Sequence, residues 1–330
     1  MLENYMTRSG EWLLLDGHRL SADPGIPGIA VAAEADSIPE CPQAGSHPHN
    51  VRQWLLASSF LPGKWINRLF SVGGIQWRGE QIGLRAFAPV DAKADKLYRQ
   101  AAMFSHDNRV AGVGVLYEDD YCLVLNKPAG MPVHPSFDGE TGTLDHAACR
   151  HMLEQSDLLP VRHIHRLDDD TTGPVLYAKN DLAQLLLDEA MREKRIDRRY
   201  VAAVQGKLKQ RKGVIDAPIA KDRHHRSRRR VAAGGEAALT RYEVLQELPN
   251  ATLVRLQLET GRTHQIRVHM SYLGHPLLGD ALYGGPPSQV KHQALHGERL
   301  VFPHPLSGRT TAVEAPWPAW LKDMYEMRRL

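Results

Sequence analysis

Cysteine is scarce in this 330-residue chain: Cys41, Cys122 and Cys149 are all it has, widely spaced and without a C-x-x-C pair. That excludes a disulfide framework and a cysteine-ligated zinc site. Long apolar runs are also missing, and none approaches the roughly 20 residues that a membrane-spanning helix needs. The first residues, MLENYMTRSGEW, lack a basic start followed by an apolar core, so the chain is expected in the cytoplasm, without a membrane partner. No motif repeats at a fixed period, and no H-E-x-x-H helix signals a zinc hydrolase.

Hydrophobic residues make up 42% and charged residues 24%, a balance that excludes a mostly disordered chain. The length suits one large domain and a smaller one. Net charge is only +3, so its distribution says more than its total. In KDRHHRSRRR, residues 221–230, six of ten positions are Lys or Arg and Asp222 alone opposes them. With Arg223, Arg226, Arg228, Arg229 and Arg230, this run is a candidate footprint for a nucleic-acid backbone. A solvated loop or a localisation signal is the plainer reading of the same residues.

Residues 1–50 read as an N-terminal extension and linker, because 21–50 are rich in Pro, Gly, Ala and Ser and show no sustained period. Val51, Trp54 and Leu55, then Trp65, Ile66, Leu69 and Phe70, fall at helical spacing on either side of Pro62-Gly63. GIQWRGEQIGLRAF follows as a hairpin turning near Arg78-Gly79. Together these predict a small helix-helix-hairpin domain over 51–90. A second linker, 91–112, leads to a larger unit over 113–330. There VGVLYEDDYCLVLNK predicts two strands, followed by an Asn-Lys-Pro-Ala-Gly turn. Asp181 to Lys194 forms an amphipathic helix with Leu182, Leu185, Leu186 and Ala190 on its apolar face. RYVAAVQGKL, ALTRYEVLQEL and ATLVRLQLET are further strands. Strands dominate without a regular βαβ alternation, so the fold class is α+β rather than doubly wound.

The chemistry centres on IHRLDDDTTGPVLYAKN, residues 164–180, which puts three aspartates between an arginine and a Thr-Thr-Gly turn. Asp and Thr side chains bond nearby backbone N–H groups and Gly173 accepts a positive φ, so a plain hairpin accounts for the segment. His163, His165, His264 and His269 with the aspartates offer ligands for a metal-dependent hydrolase. Arginines flank those aspartates, however, and His and Asp beside Arg read better as hydrogen-bonded structure. A carboxylate paired with an arginine from QIRVH stays ionised, ready as nucleophile or base without a metal. Glycoside hydrolysis needs two such carboxylates. One favoured aspartate among several basic groups suits glycosidic chemistry on a substrate that carries its own negative charge.

HRLDDDTTG resembles the H-R-L-D-x-x-T-S-G signature of the RluA-type pseudouridine synthases, which isomerise uridine in ribosomal and transfer RNA. YEDDYCLVLNKPAGMPVHP, RRYVAAVQGKL, TGRTHQIRVHMSYLGHPLLGDALYGG and ALHGERLVFPHP match further family stretches in the same order, over about residues 113–318. The resemblance implies a pseudouridine synthase fold, with a mixed, largely antiparallel central sheet and flanking helices. It also implies breakage of the N1–C1′ glycosidic bond and rejoining through C5, with no metal or organic cofactor.

Residue by residue, Asp168 matches the catalytic aspartate, which adds to C1′ or takes a sugar proton. Tyr200 matches the tyrosine that packs on the target base, and Arg267 the arginine that pairs with the aspartate. Arg166 matches a residue that enters the RNA helix as the base is flipped, and extrusion of a base costs a few kcal/mol. Leu295 sits where relatives pack an apolar residue on the base, although a core role serves a leucine equally well. Asp169 and Asp170 fall at variable positions and keep their turn role, while Thr172 replaces the usual Ser and preserves the hydroxyl.

The module at 51–90 is similar to the small RNA-binding domain that often precedes this catalytic domain. It departs from it in Arg78-Gly79 for the usual Asn-Gly and in a thin basic helix face. The expected protein is thus an RNA uridine isomerase, a monomer whose partner is ribosomal or transfer RNA. Its rivals are a catalytically silent RNA-binding or ribosome-assembly factor and a metal-dependent hydrolase.

Overall fold

The computed structural model describes residues 2–23, 40–103, 110 and 112–327. Residues 24–39 of the expected first linker, and 104–109 and 111 of the second, lie outside the described residues. Its first layer is a four-stranded antiparallel sheet in the order Met6–Ser9, Trp12–Leu15, Gln81–Leu84, Ile75–Arg78. The opening residues are therefore not an extension, because they supply two of the four strands. Leu13 and Leu15 pair with Leu84 and Ile82, and all four are buried. They share a core with the helices Pro48–Ser58 and Gly63–Ser71, whose inward residues Trp54, Leu55, Trp65 and Ile66 recur at the predicted spacing.

The expected second linker also carries structure. Lys96–Met103 is a helix, and its buried Tyr98 donates its hydroxyl to the Leu159 carbonyl.

The larger unit has two principal sheets, both antiparallel. One runs Gly114–Glu118, Cys122–Lys127, Gly173–Ala178, Arg162–His163. The other has six strands in the order Lys212–Asp216, Leu239–Glu247, Ala251–Leu258, Asp197–Gln205, Leu295–Pro303, Thr310–Glu314. Every residue of Gly173–Ala178 is buried, as a continuous apolar run predicts. The helix Asp181–Arg192 starts at Asn180, whose side chain accepts the Ala183 N–H at 2.8 Å and so satisfies one of the free amides of the first turn.

The two sheets meet where Thr172 bridges His296 in parallel. The Gly297 N–H donates to the Thr172 carbonyl at 2.7 Å. Gly173 lies at φ +125°, and a Cβ there would stand 2.4 Å from the Gly297 carbonyl oxygen. The glycine of Thr-Thr-Gly is thus a point of backbone contact between sheets, beyond its service as a turn. A separate two-stranded ribbon, Ile219–Lys221 with Arg229–Val231, carries the basic run at its tip. No helix among the described residues is long and apolar enough to cross a membrane.

Arg8 clamps the N-terminal layer to the larger unit. Its guanidinium donates to Asp120 at 2.8 Å and to Asp157 at 2.6 Å, and lies 4.5 Å from the Phe87 ring centroid. Beside it Asp119 accepts from the backbone N–H groups of Tyr121 and Cys122, both at 2.8 Å, and from the Tyr117 hydroxyl, and pairs with His304 at 2.9 Å. Burial alone would raise the Asp119 pKa. The bonds from His304, Tyr117 and the two amides outweigh it and bring the carboxyl from 3.8 to about 2.

A carboxyl depressed in the folded state stabilises it above its unfolded pKa, and that stabilisation is lost as pH falls from about 4 toward 2. Asp119→Asn is expected to cost about 2 kcal/mol at pH 7, with the difference from wild type vanishing near pH 2. Urea unfolding at a series of pH values measures it. A cost independent of pH would show that the carboxylate's charge contributes nothing.

Candidate active site

Asp168 sits in the loop that precedes the sheet contact at Gly173, and its carbonyl accepts the Thr171 N–H at 2.9 Å. This is the turn that Asp-Asp-Asp-Thr-Thr-Gly predicts. The loop is held from behind by Lys127, which is 1% exposed. Its ammonium donates to the carbonyls of Pro128 at 2.9 Å and Met131 at 2.7 Å, and to that of Asp169. Burial pulls the Lys127 pKa down to about 8, against the raising effect of the three aspartates. The ammonium therefore still carries its charge at neutral pH and uses its three protons on three carbonyls.

Arg267 reaches Asp168 from the helix Gln265–Tyr272. Its Nη1 donates to Asp168 Oδ2 at 3.0 Å. On the other side Nε and Nη2 donate to the two oxygens of Asp280 at 2.7 and 2.9 Å, the planar two-point contact that arginine favours. Asp280 and Arg267 are buried, their side chains 1% and 8% exposed, while Asp168 is 23% exposed. Burial works against the guanidinium's charge, yet the bonds and charges of Asp280 and Asp168 outweigh it and raise the Arg267 pKa. The Tyr283 ring lies 5.0 Å from the guanidinium carbon, a cation–π contact.

This ion chain opens on a cleft of about 330 Å³, lined among others by His134, Arg166, Asp168, Arg262, His264 and Arg267. An adjoining recess is shared by Asp168, Tyr200, Leu295 and Arg267. Tyr200 and Leu295 come from neighbouring strands, where Leu295 pairs with Ala202 and Gly297 with Tyr200. Both side chains are buried, and burial raises the Tyr200 phenol above its ordinary pKa of 10.0. Arg166 is exposed, and its guanidinium lies 3.2 Å from the His134 ring nitrogen.

The basic ribbon reaches the same place. The Arg229 backbone N–H donates to the Tyr283 hydroxyl at 2.9 Å, and the Arg228 guanidinium lies 5.9 Å from the Tyr283 ring. Arg223, Arg226 and Arg230 are exposed. In the small module, Arg68 pairs with Asp181 at 3.1 Å and Arg52 donates to Asn67 at 2.8 Å, so both of these helix cations are engaged within the protein.

The histidines weighed as metal ligands are dispersed to separate tasks. His163 bonds Asp145 at 3.1 Å, His165 is buried and accepts the Leu176 amide, and His269 lies between Thr240 and the Ala217 carbonyl. Among the described residues no three His, Cys, Asp or Glu side chains converge as a metal site requires.

Residue pattern alone marks neither Asp280 and Tyr283, nor His264 as a cleft residue, nor Lys127 as an anchor. Lys127 lies in the matched stretch YEDDYCLVLNKPAGMPVHP and the others in TGRTHQIRVHMSYLGHPLLGDALYGG, so the match to the family was the available signal for all four.

A family model described as RNA pseudouridylate synthase matches residues 120–272. The chain is 45% identical over 212 residues to a Bacillus subtilis (strain 168) protein named uncharacterized RNA pseudouridine synthase YhcT, covering 64% of this chain and 70% of that one. It is 41% identical over 223 residues to ribosomal large subunit pseudouridine synthase D of Nitrosomonas europaea, with 65% and 64% covered. Among solved structures, human RNA pseudouridylate synthase domain containing 1 aligns with a TM-score of 0.53 at 25% identity, over 63% of this chain and 85% of that one. The chain belongs to the RNA pseudouridylate synthase family, a class of isomerases that act on RNA.

Lys127→Met matches the lysine's apolar stem but leaves the Pro128 and Met131 carbonyls unpaired, while that of Asp169 keeps the Met131 N–H. The substitution is expected to destabilise the fold by about 3 kcal/mol, from the usual cost of unsatisfied buried acceptors. Urea unfolding of the full chain measures it, and an unchanged midpoint would show that the loop does not depend on this lysine.

Proposed function

We propose that this chain converts uridine to pseudouridine in structured RNA, ribosomal or transfer, with Asp168 as the reacting carboxylate. The observation that carries this reading is the buried Asp280–Arg267 pair ending on a partly exposed Asp168 in a cleft shared with Tyr200 and Leu295. Arg267 occupies Oδ2 of Asp168, and among the described residues Oδ1 has no hydrogen-bond partner. That oxygen suits work at the ribose. The N1–C1′ bond breaks, the uracil turns and C5 bonds to C1′, while C5 gives up a proton and N1 takes one. The product is an isomer of the substrate, so no oxidant or reductant is consumed.

Tyr200 and Leu295 supply an apolar surface against the uracil, and the raised pKa of Tyr200 keeps its hydroxyl protonated near neutrality. Arg166, exposed beside the cleft, fills the gap that the flipped nucleotide leaves in the RNA. Such a filler offsets part of the unstacking cost, a few kcal/mol. Arg223, Arg226, Arg228, Arg229 and Arg230 hold phosphates beside the target nucleotide, and such contacts orient the RNA without reading its sequence.

Asp168→Asn is expected to abolish product while RNA binding persists. Pseudouridine mapping across total RNA, from cells with and without the gene and restored by wild type or by the variant, tests it. Loss of sites rescued only by wild type is the expected result, and pseudouridine restored by the variant would refute the assignment. Replacing Arg223, Arg226 and Arg230 by Gln is expected to flatten the dependence of binding on salt. The slope falls by about 0.9 per lost phosphate contact on duplex RNA or about 0.7 on single strands. An unchanged slope in a filter-binding titration would show that the ribbon faces elsewhere.

A further inference from the structure

His264 lies at φ 58° and ψ 22°, in the left-handed region that residues other than glycine seldom adopt. Such a conformation persists where the surroundings hold it. Its side chain is 17% exposed and lines the cleft. Nδ1 stands 2.8 Å from the Tyr283 hydroxyl, and that hydroxyl accepts the Arg229 backbone N–H at 2.9 Å.

An amide N–H can only donate, so the Tyr283 oxygen is the acceptor in that bond and its own hydrogen is left for Nδ1. Among the described residues no other acceptor is bonded to it. A ring nitrogen that accepts carries no proton, so the neutral imidazole holds its proton on Nε2. Nε2 stands 4.0 Å from Asp168 Oδ2, the oxygen that Arg267 already holds. The charged groups facing the ring are Asp168, Arg267, Arg229 and Asp280. Burial, acting ahead of those charges, takes the His264 pKa below its ordinary 6.5 and keeps the ring neutral.

We propose that His264 is a positioning residue for Asp168, fixed as the Nε2–H tautomer by the basic ribbon through Tyr283, and that Nε2–H closes onto Asp168 Oδ2 when RNA fills the cleft. The inference rests on the isomerase reading above. Hydrogen bonds that serve catalysis are often long in the free enzyme and tighten in the complex. Two donors on Oδ2 pin the carboxylate and leave Oδ1 as the reacting oxygen. Because the first link is the backbone of Arg229, within the run assigned to phosphates, RNA docking and alignment of Asp168 become one event.

The test compares full-length wild type, His264→Gln and His264→Asn on total RNA from cells lacking the gene. It reads the single-turnover rate of pseudouridine formation at saturating enzyme and the enzyme concentration that gives half that rate. Gln carries an amide nitrogen near the position of Nε2. Asn reaches only the position of Nδ1 and tolerates the left-handed backbone. His264→Asn is expected to slow the saturating rate by about tenfold to a hundredfold, the loss of one hydrogen bond to a charged group, with the half-saturating concentration unchanged. His264→Gln is expected to keep most of the rate. An Asn variant as fast as wild type, or Gln and Asn variants equally slow, would overturn the proposal.

Nitrogen NMR of the free full chain is a second arm that needs no activity. Nδ1 unprotonated and Nε2 protonated at neutral pH is the expected state, with the preference lost in Tyr283→Phe, and a protonated Nδ1 in wild type would overturn the proposal. Wild type that forms no pseudouridine on this RNA would instead count against the isomerase reading, leaving the tautomer to be decided by NMR.

Discussion

Arg267 divides its hydrogen bonds between Asp280, which is buried, and Asp168, which meets the cleft. A guanidinium taken out of water is costly unless its donors are satisfied, and here Asp280 satisfies two of them before Asp168 is considered. The order matters. Asp280 fixes where the cation stands, the cation fixes where Asp168 Oδ2 stands, and the free oxygen follows. Three separate pieces of chain meet in this one arrangement: the loop before Gly173, the helix Gln265–Tyr272 and the turn at Asp280. The fold must be complete before the site exists.

The backbone around Asp168 is held with equal firmness. Gly173 presses on Gly297 where the two sheets join, and Lys127 gathers three carbonyls beneath the loop. Neither contact leaves room for the loop to relax, so the carboxylate is oriented by main chain as much as by its partner arginine. Preorganisation of this kind, on rigid elements rather than mobile ones, is what holds reacting groups near a productive geometry.

Periodic features of the sequence translated directly into structure. Trp54, Leu55, Trp65 and Ile66 mark their helices because a buried face repeats every three to four residues, and the strand Gly173–Ala178 announces itself as an apolar run. Met6–Ser9 and Trp12–Leu15 carry little signal because four-residue strands are too short to display alternation, and Trp12–Leu15 joins the sheet through Gln81–Leu84, some seventy residues away. The helix Lys96–Met103 buries only Tyr98 and Ala101, too narrow an apolar face to distinguish it from linker in the sequence. At the site, Asp168, Tyr200, Arg267 and Leu295 were legible through family motifs and do line one recess. Asp280 and Lys127 act through hydrogen bonds that carry no periodic signature, and the tautomer of His264 depends on an amide in a distant ribbon. Chemistry set by who donates to whom is invisible until the donors are placed.

The Arg8 clamp has a thermodynamic meaning for anything that lies across both the N-terminal layer and the cleft. A tethered module must be immobilised each time a ligand spans it, and the lost freedom is subtracted from affinity. Here that freedom was surrendered during folding, when Arg8 bonded Asp120 and Asp157 and Phe87 packed beneath it. These contacts favour one distance between layer and cleft. A ligand touching both would be selected by its shape, in the way a fixed-gap caliper accepts some objects and refuses others.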